Sequence, residues 1–114
     1  MALTESTSDR IVRVGIAGLG RSGWNIHVTT LEQLPEQFRV VAVCDVDPAR
    51  RSEAETRLSC RSYAEFGELV RDREIDLVVV AGPSHLHSRQ AIHALRAGKD
   101  VLVEKPFATS LREA

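Results

Sequence analysis

The sequence predicts an α/β fold, with a doubly wound parallel sheet that carries helices on both faces. Short valine-rich apolar runs alternate with segments of helical apolar spacing along the 114 residues. The runs are apolar at successive positions, which is typical of strands covered on both faces. A glycine-rich loop joins the first run to the first helical segment. Parallel strands need crossover connections, and the helical segments between the runs supply them.

Composition and charge are those of an ordinary globular chain. Apolar residues make up 43% and charged residues 27% of the sequence, the net charge is −1, and the aromatic residues are three Phe, one Tyr and one Trp. Neither the charge nor the aromatic content favours nucleic acid. The polar start has no signal region, and no apolar run approaches the roughly 20 residues that span a bilayer. Two cysteines form no disulfide framework, which favours a reducing compartment. We expect a flexible tail at 1–10, one domain at 11–114, a cytoplasmic location, and no nucleic-acid or membrane partner.

The first strand and helix lie on either side of the glycine-rich loop. Val12–Ala17 (VRVGIA) is short, β-branched and almost wholly apolar, which predicts a buried strand. After the loop, apolar residues recur at helical spacing and predict a helix that extends to Pro35. The apolar positions of this helix are Trp24, Val28, Leu31 and Leu34.

A second strand and helix follow directly. Residues 40–45 (VVAVCD) predict another buried strand, in which Cys44 is a small buried hydrophobe. Asp47 then predicts the cap of a polar helix with Pro48 at its first position. This helix is expected to run to about Leu58.

The third unit is predicted to be shorter. An extended piece around residues 60–61 precedes Ser62-x-x-Glu65, which has the form of a capping box and predicts a helix start. Residues 75–81 (IDLVVVA) predict the next buried strand. The apolar stripe of the helix between them is Phe66, Leu69 and Val70.

The last predicted helix and strand come after a Gly-Pro pair that breaks the preceding strand. Ser84 is expected to cap the helix, and Gly98 to end it in the C′ position. Residues 101–103 predict the last strand. The inward-facing positions expected for the helix are Ser88, Ala91, Ile92 and Leu95.

The glycine-rich loop GLGRSG, residues 18–23, has the spacing of a dinucleotide-binding loop. The first glycine allows a tight turn, the second leaves room for a diphosphate, and the third lets helix and strand pack closely. The amino end of the following helix favours an anion. The residues that we assign to cofactor binding here are Gly18, Leu19, Gly20, Arg21, Ser22 and Gly23.

An acid at the end of the second strand supports this interpretation. Asp45 lies 22 residues past Gly23, close to the expected spacing of about 20 for a carboxylate that binds a ribose diol. Such an acid favours NAD over NADP, although Arg50 or Arg51 could serve a 2′-phosphate. A mononucleotide or S-adenosylmethionine site is the alternative, since methyltransferases share the loop and the acid. They usually lack the third glycine, which is present here.

The second half of the chain resembles the glucose–fructose oxidoreductase, inositol dehydrogenase and MocA (Gfo/Idh/MocA) family. The resemblance extends over 12–114 and is most specific in the Glu-Lys-Pro triplet that follows the last strand. It implies a Rossmann-type sheet with strand order 3-2-1-4-5. The matching residues in this half are Pro83, His87, Ala94, Leu95, Ala97, Gly98, Lys99, Glu104, Lys105 and Pro106.

The resemblance also implies an activity. Family members transfer a hydride between a nicotinamide and a hydroxyl or carbonyl carbon of a small molecule, usually a sugar or cyclitol. It assigns Lys105 as the catalytic residue that hydrogen-bonds the reacting oxygen. The other residues that it assigns to cofactor binding are Gly82, Pro83, His87 and Glu104.

The chain departs from the family pattern at two positions. Gly82 replaces the usual Thr, so a hydroxyl contact to the cofactor is lost there. His27 lies four residues after the third loop glycine, whereas the family often has a His three residues after it. No role is therefore assigned to His27.

The histidines of the second half do not predict a metal site. His85 and His87 have the spacing of a ligand pair, but no further cluster of Cys, Asp or Glu completes a set of three or four ligands. His93 is expected to be exposed.

The length of the chain sets an expectation about what it can do alone. The family's members have several hundred residues, with a second domain that supplies most of the substrate site. A capping box, Ser110-x-x-Glu113, stands at the very end of this sequence. We therefore expect the N-terminal part of a longer homo-oligomeric enzyme, truncated before the last strand of its dinucleotide fold, which binds cofactor but does not turn over substrate. The alternative is a stand-alone, non-catalytic nucleotide-binding or regulatory module.

Overall fold

The computed structural model describes residues 10–20 and 22–104, without the side chains of residues 22, 23 and 25. Five parallel strands form one sheet in the order β3-β2-β1-β4-β5, which confirms the predicted topology. The predicted tail up to residue 9 and the capping box at Ser110 lie outside the described residues. The strands are β1 (Val12–Ala17), β2 (Phe38–Cys44), β3 (Arg61–Tyr63), β4 (Leu77–Val80) and β5 (Asp100–Val103).

Helices connect the strands in chain order. A π-helix, Ser22–Val28, runs directly into one α-helical turn, α1. A 3₁₀ turn, Ser84–Leu86, likewise leads into the last helix. The α-helices are α1 (Thr29–Glu32), α2 (Pro48–Leu58), α3 (Phe66–Val70) and α4 (His87–Arg96).

The helices divide into two layers, one on each face of the sheet. The π-helix, α1 and α2 cover one face, where Val28 and Ala54 pack against Val14, Ile16 and other strand residues. On the opposite face, α3 and α4 cover a second core, whose buried residues include Leu69, Val70, Val78, Val80 and Ala94. Successive strand residues enter opposite cores, which explains why the strands are apolar at both odd and even positions.

The start of α3 differs from the prediction. Ser62 lies in β3 and pairs with β2, and its hydroxyl donates to a Glu55 carboxylate oxygen at 2.6 Å. Glu65 is the N-cap instead, in a reciprocal capping box with Glu68. The predicted box at Ser62 was wrong because strand pairing with β2 places Ser62 in the sheet.

The start of α4 also differs. Ser84 is the first residue of the 3₁₀ turn, whose N-cap is Pro83, and no side-chain hydrogen bond caps either the turn or α4. The predicted cap was wrong, because the turn at 84–86 displaces the helix start to His87.

The inner face of α4 was only half predicted. Ser88 and Ala91 are buried as expected, but Ile92 and Leu95 are 43% and 59% exposed. The side chains that α4 buries are His87, Ser88, Ala91 and Ala94. Three of these four are small, and Ala94 belongs to the same core as Val78 and Val80 of β4.

The end of α4 is as predicted. Gly98 has a φ of 83°, the left-handed conformation that glycine adopts without a steric cost. Its N–H donates to the Leu95 carbonyl, and the Lys99 N–H donates to the Ala94 carbonyl, at 3.0 and 3.1 Å. These are the two hydrogen bonds of a Schellman motif.

Lys99, part of the family-like segment, has a structural role at the amino end of the sheet. Its Nζ donates to the carbonyls of Asp72 and Ile75, at 2.7 and 2.8 Å. The contact connects the turn after α4 to the loop before β4. It lies at the amino ends of the strands, and the glycine loop lies at their carboxyl ends.

Candidate dinucleotide site

A cleft of about 460 Å³ opens at the carboxyl ends of β1, β2 and β4. The chain runs outward in opposite directions from β1, to β2 on one side and β4 on the other, and open α/β sheets bind ligands at such a switch point. The cleft is lined by Ala17, Gly18, Gly20, Cys44, Asp45, Val46, Arg50, Ala64, Glu65, Phe66, Ala81, Gly82, Pro83, Leu86 and Gln90.

Gly18 is required by the fold itself. Its φ is 98°, and an added Cβ would lie 2.5 Å from both the Cα and the backbone N of Gly82. Its N–H donates to the Cys44 carbonyl at 2.8 Å, which ties the turn to the end of β2. The first glycine of the loop therefore brings two loop backbones into contact, as the sequence predicted for a tight turn.

Gly20 differs, because nothing in the fold requires glycine there. Its backbone lies outside the left-handed region, and the nearest atom to an added Cβ would be Arg50 Nη1, at 3.7 Å. Gly20 lines the cleft, so a side chain would project into space that the protein leaves open. A bare backbone at such a position suits the close approach of a diphosphate.

Asp45 lies at the end of β2 and faces the glycine loop. The residue is only 8% exposed. One carboxylate oxygen accepts from the Leu19 N–H at 2.8 Å, and the other accepts from the Asp47 N–H at 2.9 Å. Each oxygen of a carboxylate can accept about two hydrogen bonds, so each retains capacity for one more donor. That capacity matches the two hydroxyls of a ribose.

The two candidate arginines occupy different surroundings. Arg50 lines the cleft, with Nη1 at 3.7 Å from an Asp45 carboxylate oxygen. Arg51 instead donates from Nη1 to the backbone carbonyls of Asp45 and Val46, at 2.9 and 3.3 Å. Arg50 is thus the arginine that faces the cleft, while Arg51 holds the loop after β2.

His87 lies behind the loop that follows β4. It is 1% exposed, and its Nε2 is 2.7 Å from the Gly82 carbonyl oxygen. A carbonyl only accepts hydrogen bonds, so Nε2 carries the proton. His87 therefore supports the backbone of Gly82, while Pro83 lines the cleft. An added Cβ at Gly82 would meet nothing closer than 3.9 Å, so the fold has room for a Cβ there.

Glu104 follows β5, and its backbone N–H donates to the Val80 carbonyl at 3.0 Å. Its carboxylate oxygen Oε2 is 2.7 Å from His27 Nε2. His27, to which the sequence assigned no role, thus contacts the Glu-Lys-Pro segment. His27 lies one position later than the family's usual His, and the helix that carries it is a π-helix.

Some of the predicted site lies beyond what the structure describes. Arg21 and Lys105 are outside the described residues, and Ser22 and Gly23 are described only as backbone at the start of the π-helix. Within 10–20 and 22–104, no group of three or more His, Cys, Asp or Glu side chains could hold a metal ion.

Cys44 lies on the cleft wall but is not poised as a nucleophile. Burial, followed by the nearby charge of Asp45, raises the pKa of the Cys44 thiol to about 12. The thiol therefore stays protonated at neutral pH, and the thiolate is the reactive form. None of the helices in the described part of the chain has the length and apolar character that crossing a bilayer requires.

Comparison with known sequences identifies the family. The model of an oxidoreductase family with an NAD-binding Rossmann fold, Gfo/Idh/MocA, matches residues 12–114. An inositol 2-dehydrogenase of Acidothermus cellulolyticus is 38% identical over 104 residues, which are 90% of this chain and 30% of that protein. Inositol 2-dehydrogenase 1 of Saccharopolyspora erythraea is 42% identical over 101 residues, 87% of this chain and 30% of that protein.

Solved structures agree with the sequences. The WlbA dehydrogenase of Bordetella pertussis, crystallised with NADH and UDP-GlcNAcA, superposes with a TM-score of 0.87 at 33% identity, over 93% of this chain and 31% of that one. The myo-inositol dehydrogenase of Lactobacillus casei, crystallised with NAD(H) and myo-inositol, gives a TM-score of 0.84 at 31% identity, over 91% of this chain and 31% of that one.

The chain spans about 30% of the length of the curated relatives that it matches. The family model, in contrast, covers all but the first eleven residues. The fold, the sequence and the arrangement of the cleft agree with one another, and the chain belongs to the Gfo/Idh/MocA family of oxidoreductases with an NAD-binding Rossmann fold.

Proposed function

We propose that this chain is the cofactor-binding part of an NAD-dependent oxidoreductase that acts on a hydroxyl or carbonyl carbon of a sugar- or cyclitol-like molecule. The observation that carries the proposal is Gly20, a bare position on the cleft wall where the fold has room for a side chain. The substrate class follows relatives named as inositol 2-dehydrogenases. The proposed enzyme is cytoplasmic and homo-oligomeric, and the chain alone binds cofactor without turnover.

The cleft supplies a partner for each part of the adenosine diphosphate half. The backbone around Gly20 would receive the diphosphate, at the amino end of the helical stretch that begins at Ser22. Asp45 would accept from the two ribose hydroxyls with the lone pairs that Leu19 and Asp47 leave available. The adenine would lie against the apolar part of the lining, which includes Val46, Ala64, Phe66 and Leu86.

The charge of Asp45 supports NAD as the preferred cofactor. A 2′-phosphate would replace one ribose hydroxyl with a doubly charged group next to the Asp45 carboxylate. Asp45 is only 8% exposed to solvent. Repulsion is strong in such surroundings, because little water screens it. Arg50, at 3.7 Å from Asp45, offsets part of this repulsion, so NADP is a weaker ligand and not an excluded one.

The bound nicotinamide would supply the hydride chemistry. Lys105 would donate a hydrogen bond to the reacting oxygen and stabilise negative charge there, a role taken from the family resemblance. Glu104 and the segment around Pro83 would border the nicotinamide half, because they follow the strands on the opposite side of β1 from Asp45. His87 would act indirectly, through the Gly82 carbonyl.

Calorimetric titration of the chain with NADH, NADPH and S-adenosylmethionine tests the proposed ligand. We expect NADH to bind at least about tenfold more tightly than NADPH, a difference of about 1.4 kcal/mol. Gly20→Ala should weaken NADH binding by about tenfold or more, because the new methyl group occupies the space of the diphosphate. Its melting temperature should stay within about 3 °C of the wild type, because the fold has room for the methyl group.

Leu58→Ala provides a comparison, because Leu58 packs against the core that α1 and α2 cover and does not line the cleft. This change should lower the melting temperature. It should not change the NADH affinity, provided that the affinity is measured well below the melting temperature. Tighter binding of S-adenosylmethionine than of NADH would contradict the proposal, and so would a Gly20→Ala variant that binds NADH like the wild type.

The catalytic assignment is tested in the full-length polypeptide. Lys105→Ala should lower kcat by about 100-fold or more, in the range of a lost acid–base or oxyanion contact, with little change in NADH affinity. Lys105→Arg keeps the charge and should recover part of the activity if charge at the oxygen is what matters. Unchanged kcat in Lys105→Ala would remove Lys105 from the mechanism.

A further inference from the structure

One side-chain contact joins the π-helix to the end of β5. His27 Nε2 and Glu104 Oε2 are 2.7 Å apart, although the two residues are separated by 77 positions. Their side chains are 15% and 23% exposed, so both groups are mostly withdrawn from water. A carboxylate only accepts hydrogen bonds, so the imidazole Nε2–H donates to Glu104.

The π-helix is what brings His27 to this position. A π-helix hydrogen-bonds from residue i to i+5 and so takes up about one more residue in a turn than an α-helix does. At the start of the π-helix, the Trp24 N–H donates to the Gly20 carbonyl at 2.9 Å. At its end, Val28 is fully buried in the core that the π-helix, α1 and α2 cover. The one residue that a π-helical turn adds, relative to an α-helical turn, therefore lies between these two fixed contacts.

The position of Glu104 relates the contact to the far end of the cleft. Its N–H donates to the Val80 carbonyl, so its backbone continues the pairing of β4 and β5 by one residue. Both strands lie on the opposite side of β1 from Asp45. A dinucleotide whose adenosine ribose is at Asp45 and whose diphosphate is at Gly20 extends its nicotinamide half toward this side.

We propose that His27 and Glu104 form a positioning pair for the nicotinamide half of the cofactor. The imidazole holds the Glu104 carboxylate in one orientation at the end of β5, on the side of β1 where the nicotinamide half would lie. Without His27, a half-buried carboxylate would lose its partner and turn toward water. The pair rests on the proposed function, and His27 is a positioning residue that acts through Glu104.

A comparison of two ligands tests the pair in the chain itself. ADP-ribose has the adenosine diphosphate half and lacks the nicotinamide, whereas NADH has both. We expect His27→Leu to weaken NADH binding by about tenfold and ADP-ribose binding by less than about twofold, measured by calorimetric titration. His27→Gln keeps an N–H donor on a side chain of similar reach and should recover most of the NADH affinity.

A double-mutant cycle tests whether the two residues act together. The variant with both His27→Leu and Glu104→Leu should bind NADH no more weakly than the weaker single variant, because each change removes the same interaction. Glu32→Gln is the matched control, since it breaks an exposed contact of α1 with Arg57 at 3.0 Å and lies away from the cleft. It should leave both affinities unchanged.

The outcomes separate the pair from the proposed function. If the wild-type chain binds neither ligand, the proposed function and the pair are both overturned. If it binds both, and His27→Leu weakens both equally or neither, the pair alone is overturned. Additive losses in the double variant would also overturn it. Should His27→Leu fail to fold by circular dichroism, His27→Asn, which is polar and too short to reach Glu104, gives the same comparison.

Discussion

At Gly18 the backbone has a φ of 98° and lies against the backbone of Gly82, so two residues far apart in the sequence meet at the base of the cleft. Gly20, two positions on, has neither a left-handed φ nor a close neighbour. One loop thus contains a glycine that the fold needs and a glycine that only a ligand would need. The motif predicted different roles for these two glycines, and the atomic surroundings of each are consistent with that difference.

The Gly18 contact gives a prediction about stability. Gly18→Ala should lower the free energy of unfolding by about 3 kcal/mol or more, from roughly 1–2 kcal/mol for a left-handed residue with a Cβ and 1–3 kcal/mol for overpacking. The physical reason is an added Cβ at 2.5 Å from backbone atoms, which have no rotamer to move to. Urea denaturation measures the loss.

Gly82→Ala is the control on the other side of the same contact. Its Cβ would be 3.9 Å from the nearest atoms and its φ is not left-handed, so we expect stability within about 1 kcal/mol of the wild type. Equal losses for Gly18→Ala and Gly82→Ala would contradict the geometry of the contact.

At the scale of elements, α2 shows how a helix start can serve the site next to it. The Asp47 carboxylate accepts from the Ala49 N–H at 2.9 Å and caps the helix, while its own N–H donates to Asp45. Pro48 follows at the first helical position, where the missing N–H costs nothing. The cap therefore sets the direction of the chain just after the residue that we propose binds the ribose.

Removal of the cap should be measurable. Asp47→Ala is expected to lower the free energy of unfolding by about 1 kcal/mol, because the cap hydrogen bond is lost. Asp47→Ser should retain most of the wild-type stability, because a serine hydroxyl can also cap the helix. The urea midpoint of each variant, with the slope unchanged, is the measurement.

Glu53→Ala serves as the reference within the same helix. Glu53 is exposed in the middle of α2, so the change should fall within about 0.5 kcal/mol of the wild type. An Asp47→Ala variant as stable as Glu53→Ala would show that the cap contributes nothing.

At the scale of the whole molecule, the two ends of the sheet differ in structure. The cleft lies at the carboxyl ends of the strands, and a set of polar contacts connects loops and strands at the amino ends. There Asp76 accepts from the guanidinium and the backbone N–H of Arg13, and Asp72 accepts from Arg61 and Tyr63. These contacts join the loop before β4 to β1 and β3, the strands that flank β2.

The Asp76 contact predicts a pH dependence of stability. Hydrogen bonding from Arg13 lowers the pKa of the Asp76 carboxyl in the folded state, against an opposing effect of burial. The unfolded chain has a pKa of about 3.9 for Asp, so the folded state binds fewer protons. The stabilisation is therefore present above about pH 4 and is lost as the pH falls through the lower folded pKa.

Asp76→Asn should be less stable than the wild type at pH 7 and should lose less stability as the pH is lowered from about 5 to about 2. Urea midpoints at several pH values give the comparison. Asp100→Asn is the control, because Asp100 is an exposed carboxylate at the same end of the sheet. Parallel pH profiles for the wild type and Asp76→Asn would refute the contribution of Arg13.

The sequence by itself predicted the parallel strands and the glycine loop with its acid from local patterns, because apolar runs, loop glycines and motif spacing are read along the chain. The strand order 3-2-1-4-5 followed from the resemblance to the family, which was confirmed together with the order. The confirmed end of α4 at Gly98 is of the same kind, since a C′ glycine acts on the residues just before it.

Only the tertiary structure decided the rest. Pairing with β2 moved the cap of α3 from Ser62 to Glu65, and the packing of α4 against the sheet buried Ser88, Ala91 and Ala94 while it left Ile92 exposed. A π-helix brought His27 to Glu104, 77 positions away. In each case the free energy comes from contacts between segments that are distant in the chain, and no local preference of those residues specifies which segments meet.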